Sequence, residues 1–164
     1  MKLKVFSDQY VTENDQDIVV FLIGMRINKR LAIRKWFPVL KAMPPMIREL
    51  HENKDALGFL SSESFIGLRT TVLISYWKSS EDLLAYARGQ KHLAAWKEFN
   101  TKIGNNEAVG IYHETYVIEK GKYETFYRNM PQYGLAKAIG HKPITKDMNT
   151  AKKRLNGIYS HKKI

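Results

Sequence analysis

Ile18–Asn28 reads IVVFLIGMRIN. Its β-branched and aromatic content, its length and the polar residues that close it predict a strand. The decisive feature is which faces of that strand are apolar. Val19, Phe21, Ile23, Met25 and Ile27 fall on one face, and Ile18, Val20 and Leu22 on the other. Thr70–Trp77 behaves alike, with Val72, Ile74 and Tyr76 opposite Leu73 and Trp77. Ala108–Ile118 sets Val109, Ile111 and Val117 against Tyr112, Tyr116 and Ile118. An antiparallel sheet with one wet face would carry apolar residues at alternate positions only. One layer of helices covers one face, so the other needs a second sheet. A second copy of the chain is the economical source, and a two-fold homodimer is expected.

Outward from the first strand, Trp36, Leu40, Met43, Ile47 and Leu50 recur at helical spacing. Pro44-Pro45 should break or kink that helix, because two donors are lost and Met43 is pushed toward extended geometry. Gly58–Ile66 and Thr70–Trp77 are expected to pair as a hairpin across Gly67-Leu68-Arg69. Ser79-Ser80-Glu81-Asp82 carries a helix-start signature. The helix it opens should run to about Ile103, with a break at Gly89, and stop at Gly104-Asn105-Asn106. Ala108–Ile118 is the fourth strand, and Gly121 turns it into a shorter one, Tyr123–Met130. The order β-α-β-β-α-β with an extra C-terminal strand predicts an α+β, ferredoxin-like fold built on an antiparallel sheet. The expected division is an N-terminal arm (1–17), the ferredoxin-like domain (18–131) and a basic C-terminal extension (132–164).

The chain has 164 residues, no cysteine and a formal net charge of +11. Disulfides, thiolate metal sites and a cysteine nucleophile are therefore excluded. The charge is unevenly placed. Residues 1–131 hold 19 basic and 15 acidic residues, whereas the last 33 hold eight basic residues and Asp147. Without regular aromatic–basic interleaving, this extension is read as a solvated segment packing on its own domain or a partner, and nucleic acid is not expected. The longest apolar run, Ile18–Met25, is far short of the roughly 20 residues of a membrane span. No signal peptide is evident, so a cytoplasmic protein with no membrane partner is expected. His51, His92, His113, His141 and His161 show no metal-ligand spacing, and no phosphate loop or nucleophile elbow is present.

WKSSEDLLAYARGQKHLAAWKEF (Trp77–Phe99) resembles the strand-to-helix segment of the antibiotic-biosynthesis monooxygenase superfamily of dimeric α/β barrels. VVFLIGMRIN, RKWFPVLKAMPPMIREL, AVGIYHETYVI and GKYETFYRNMPQYGL together resemble a bacterial monooxygenase-like family, domain of unknown function 4188. The resemblance implies a dimeric α/β barrel, with activities ranging from cofactor-independent oxygenation of aromatic molecules to haem chemistry. The haem ligand, pocket tryptophan and asparagine of the haem-degrading members would fall at Trp96, Tyr86 and near Met25. None of the three is kept.

The expected function is therefore oxidation of a small hydrophobic or aromatic molecule without a bound cofactor. The alternatives are a haem-binding protein of the same fold and a non-enzymatic ligand-binding module. His92 and His113 are the candidate acid/base groups. Trp77, Tyr86, Trp96 and Tyr116 are the candidate pocket walls, with Met25, Met43 and Met46 as adaptable surface nearby. Arg26 and Glu114 are a candidate polar pair for the ligand.

Overall fold

The computed structural model describes residues 3–13, 16–102 and 107–157. Its contacts divide the chain into two compact units, Val19–Tyr116 and Met1–Ile18 with Val117–Ile164. That division differs from the boundaries expected at residues 17 and 131.

Eight elements build Val19–Tyr116: β2 (Ile18–Ile27), α1 (Ile33–Glu52), α2 (Lys54–Leu57), β3 (Phe59–Ile66), β4 (Thr70–Trp77), α3 (Ser80–Ala87), α4 (Gln90–Lys102) and β5 (Val109–Ile118). The strand β1 (Phe6–Val11) precedes them and belongs to the other unit. The sheet order is β3-β4-β2-β5, the ferredoxin-like arrangement in which each helix crosses over one face. At its centre β2 and β4 run antiparallel in unbroken register, from Val19 opposite Trp77 to Arg26 opposite Thr70. One face packs beneath the helices, where Val19, Leu50, Phe59, Trp77 and Leu83 form a buried cluster. A second cluster joins Met25 and Val109 to Trp36, Val39, Leu40 and Phe99. On the other face Val20, Leu22, Val72, Ile74 and Tyr76 are half-buried, and Tyr112 and Tyr116 are exposed.

The start of α3 follows its signature: Ser79 Oγ accepts from the Asp82 N–H at 3.1 Å and donates to Asp82 Oδ2 at 2.7 Å. The second helical stretch breaks at Gly89, as expected, giving α3 and α4. The expected stop at Gly104-Asn105-Asn106 lies outside the described residues. The prolines act differently from expectation, because α1 continues as one helix through Pro38, Pro44 and Pro45. Proline's fixed φ is already helical and its cost is the missing donor. All three prolines are exposed, so the carbonyls they leave without a donor are open to water.

The stretch expected as an arm contains a strand. β1 (Phe6–Val11) pairs antiparallel with β6 (Tyr127–Met130) on one side and β7 (Lys142–Pro143) on the other. Its polar content hid it, since its stability comes from backbone pairing and from rings on a single face. β6 is the C-terminal part of the strand expected over Tyr123–Met130. The described part of the basic extension folds onto this unit. It forms α5 (Leu135–Ile139), β7 and α6 (Ala151–Gly157). Tyr127 Oη accepts from the Ala136 N–H at 3.1 Å, and Arg154 Nε donates to Glu124 at 2.8 Å. Ile158, Tyr159, Lys162 and Lys163 lie outside the described residues.

His141 stacks on Tyr10 at 4.4 Å and meets Phe6 edge-on at 4.5 Å, with Tyr127 at 6.3 Å. Its Nδ1 is buried without a hydrogen-bond partner among the described residues. Burial holds its pKa below the usual 6.5, so the unfolded chain takes up the proton first as pH falls. The stability it contributes is complete above about pH 6.5 and is lost below it. Thermal melting between pH 7.5 and 5 should show a falling midpoint, and His141→Phe should flatten that slope.

Candidate functional site

In Val19–Tyr116 only Leu50 of α1 is fully buried, because the middle of the helix stands off the sheet. Two cavities open beneath it. The first, about 340 Å³, lies between α1, α4 and the sheet, with Met43, Met46, Trp96, Phe99 and Ile111 among its walls. His92, Lys41 and Glu98 are its polar residues. The second, about 380 Å³, lies between α1 and strands β2, β3 and β4, and Arg48, Ser64 and Thr71 supply its polar edge. Ile23, Val39, Met43 and Ile111 line both, so the cavities meet along one apolar seam. Each has the size and lining of a small-molecule site.

His92, in the first turn of α4, is half-buried on the wall of the first cavity. Its Nδ1 is buried and has no hydrogen-bond partner among the described residues. The Tyr86 ring lies 5.8 Å away at 61°, and its hydroxyl is likewise buried and without a partner. Desolvation, with a smaller contribution from the charge of Glu49, pushes the Tyr86 pKa up to about 12. Tyr86 is therefore a neutral phenol that can donate a hydrogen bond but not accept a proton. Buried polar atoms are ordinarily paired, so two orphans in adjoining rings are unusual.

The other expected residues are dispersed. Trp96 lines the first cavity and stacks on Phe99 at 5.5 Å. Trp77 lines neither cavity: at 1% exposure it sits in the core, donating from Nε1 to Ser75 Oγ at 3.0 Å. Tyr86, also expected as a wall, lines neither cavity: it packs against the core cluster, its ring 5.7 Å from Trp77. His113 is exposed on β5, its ring 5.8 Å from that of Phe21, and lines neither cavity. Glu114 accepts from the Tyr116 hydroxyl at 2.6 Å, a bond that raises the tyrosine's pKa. Both are exposed on the far side of β5. Arg26 is exposed and makes no ion pair among the described residues, so the expected Arg26–Glu114 pairing does not form. Sequence reasoning missed Pro38 and Ala42, whose small side chains on α1 help leave the first cavity open.

No group of three or more His, Asp or Glu side chains lies together among the described residues in a way that would hold a metal ion. The position at which the resemblance implies a haem ligand is Trp96, on the wall of the first cavity with His92.

Residues 18–135 match the family model described as monooxygenase af470-like. The chain belongs to the monooxygenase af470-like family. A curated relative, monooxygenase af470 of Aspergillus fumigatus, is 27% identical over 121 residues, covering 68% of this chain and 42% of that one. Among solved structures, an aldoxime dehydratase in complex with butyraldoxime aligns with a TM-score of 0.66 at 17% identity. A second aldoxime dehydratase structure aligns with a TM-score of 0.65 at 20% identity. Each alignment covers 85% of this chain and 43% or 44% of the other. This af470-like chain therefore spans less than half the length of these relatives. The likeness to the dehydratases establishes the shared fold. Among the described residues, no helix is long and apolar enough to cross a membrane.

Proposed function

We propose that this chain is a cytoplasmic, homodimeric monooxygenase-type protein that takes a small hydrophobic or aromatic molecule into the cavity beneath α1. The observation that carries the reading is His92, with an unpartnered buried nitrogen on the wall of a largely apolar cavity in a monooxygenase-family chain. The suited substrate is an aromatic ketone bearing an activated methylene. His92 removes one methylene proton, and the resulting carbanion supplies electrons to O₂ to give a hydroperoxide. Loss of water then leaves a second ketone, so CH₂ plus O₂ becomes C=O plus H₂O. The substrate is the reductant, and the protein contributes a base, orientation and a dry enclosure.

Ile111→Trp tests the site, because Ile111 borders both cavities and an indole there fills the seam. Titration with anthrone, followed by fluorescence and by oxygen uptake, should show binding and turnover in the parent chain. Affinity should fall about tenfold or more in the variant. Equal affinity in the two would remove the cavity as the site. A Soret band on haem titration, lost in His92→Ala, would replace this reading with a haem-binding one.

The homodimer rests on the sheet face that carries Val20, Leu22, Val72, Ile74 and Tyr76. Sedimentation at micromolar concentration should give a two-chain mass, and a monomer would overturn it.

A further inference from the structure

Two turn tips at one end of the sheet each present a leucine to solvent. The Ala32 N–H donates to the Lys29 carbonyl at 3.1 Å, closing a turn that leaves Leu31 97% exposed. The Gly67 N–H donates to the Thr70 carbonyl at 2.8 Å, closing the β3–β4 hairpin with Leu68 at 93% exposure. Turns normally carry glycine, asparagine, aspartate or serine at such places, because a large apolar side chain there buries nothing in its own fold. The tips are neighbours: the Ile27 N–H donates to the Arg69 carbonyl at 2.7 Å, joining the two segments. Ile66, beside the hairpin turn, is 82% exposed. Exposed cations flank the leucines, namely Arg26, Lys29, Arg30, Arg34 and Arg69. Glu107 is the acid that reaches this group, pairing with Lys29 at 3.1 Å.

We infer that this end of the sheet docks on an anionic lipid surface, with Leu31 and Leu68 entering the headgroup–acyl boundary and the flanking arginines and lysine meeting lipid phosphates and carboxylates. Convex apolar tips ringed by cations match a bilayer interface, whereas a partner helix or strand would need a groove or a free edge. The expectation of no membrane partner rested on the lack of a spanning segment, and a peripheral contact requires none. Ile66 also lines the second cavity, so the same end of the sheet borders a route by which an apolar molecule could pass from lipid to the site. The docking itself does not depend on the chemistry proposed for that site.

Cosedimentation of the full chain tests it, with vesicles of phosphatidylcholine alone or containing about 30% phosphatidylserine. The parent chain should bind the anionic vesicles, more weakly at higher salt, and leave the neutral ones in solution. The double variant Leu31→Ser/Leu68→Ser has the same charge as its parent, so any attraction from the basic extension is unchanged. Its partition should fall about tenfold or more while its circular dichroism stays that of the parent. Equal partition of parent and variant, binding to neutral vesicles as strong as to anionic ones, or no binding by the parent would each overturn the inference. So would a parent that binds no vesicle while the variant loses self-association, which would make the tips a contact between copies.

Discussion

Trp77→Ala is expected to lower the unfolding free energy by about 3–5 kcal/mol, a large share of the roughly 5–15 kcal/mol typical of a folded domain. The ring is 1% exposed and meets Phe59 edge-on at 5.4 Å and Tyr86 at 5.7 Å. Its Nε1–H donates to Ser75 Oγ, which donates in turn to the Phe21 carbonyl at 3.1 Å. Truncation therefore opens a void and removes the donor that Ser75 accepts from, inside a sheet that cannot collapse to fill the space. Trp77→Phe keeps much of the volume and loses only that donor, which limits its cost to about 1–3 kcal/mol. Trp96→Ala should cost about 1 kcal/mol, because that ring is 48% exposed and its main gain is its stack on Phe99. Urea unfolding of the three variants separates these cases. Similar losses for Trp77→Ala and Trp96→Ala would refute the division between core and cavity wall.

The two tryptophans show what a sequence can and cannot say. Both sit where aromatic residues are wanted, but burial is decided by elements distant in the chain. The strands were legible because β-branched runs and turn residues are local signals. Thr70–Trp77 is legible in the sequence at both its ends, and Ser79 carries the cap that its spacing announces. The local sequence makes Gly58 the expected first residue of the strand, which begins at Phe59. In the fold Gly58 caps α2 at φ 65°, and a Cβ there would lie 2.2 Å from Asp82 Oδ2, a packing constraint with no local trace. β1 escaped because FSDQYV offers no apolar alternation, and its partners β6 and β7 lie more than a hundred residues away. The continuity of α1 through its prolines depends on which side of the helix faces water, and that is known only once the helix has docked. His92 and His113 could not be ranked for the same reason. One lies on a helix facing a gap left by another helix, while the other lies on an edge strand.

That ranking carries the largest expected effect on function. His92→Ala should lower turnover by about 10²–10⁴-fold, the usual contribution of a positioned acid or base. His113→Ala should leave turnover within about threefold, because general catalysis requires the group within hydrogen-bond reach of its proton. His113 is exposed and borders neither cavity. Tyr86→Phe discriminates further. With its pKa pushed up to about 12, Tyr86 stays protonated over the working range of an enzyme. It lines neither cavity, and we propose that its hydroxyl, beside the His92 ring on the cavity wall, donates a hydrogen bond to the bound molecule. Its loss should raise KM by about tenfold and change kcat far less, since a hydrogen bond kept through binding and reaction contributes equally to both states. Oxygen uptake with anthrone measures all three variants under one set of conditions. A large kcat loss in His113→Ala with none in His92→Ala would move the chemistry to the exposed edge of β5. The cavity beneath α1 would then be left as a binding site without a reaction.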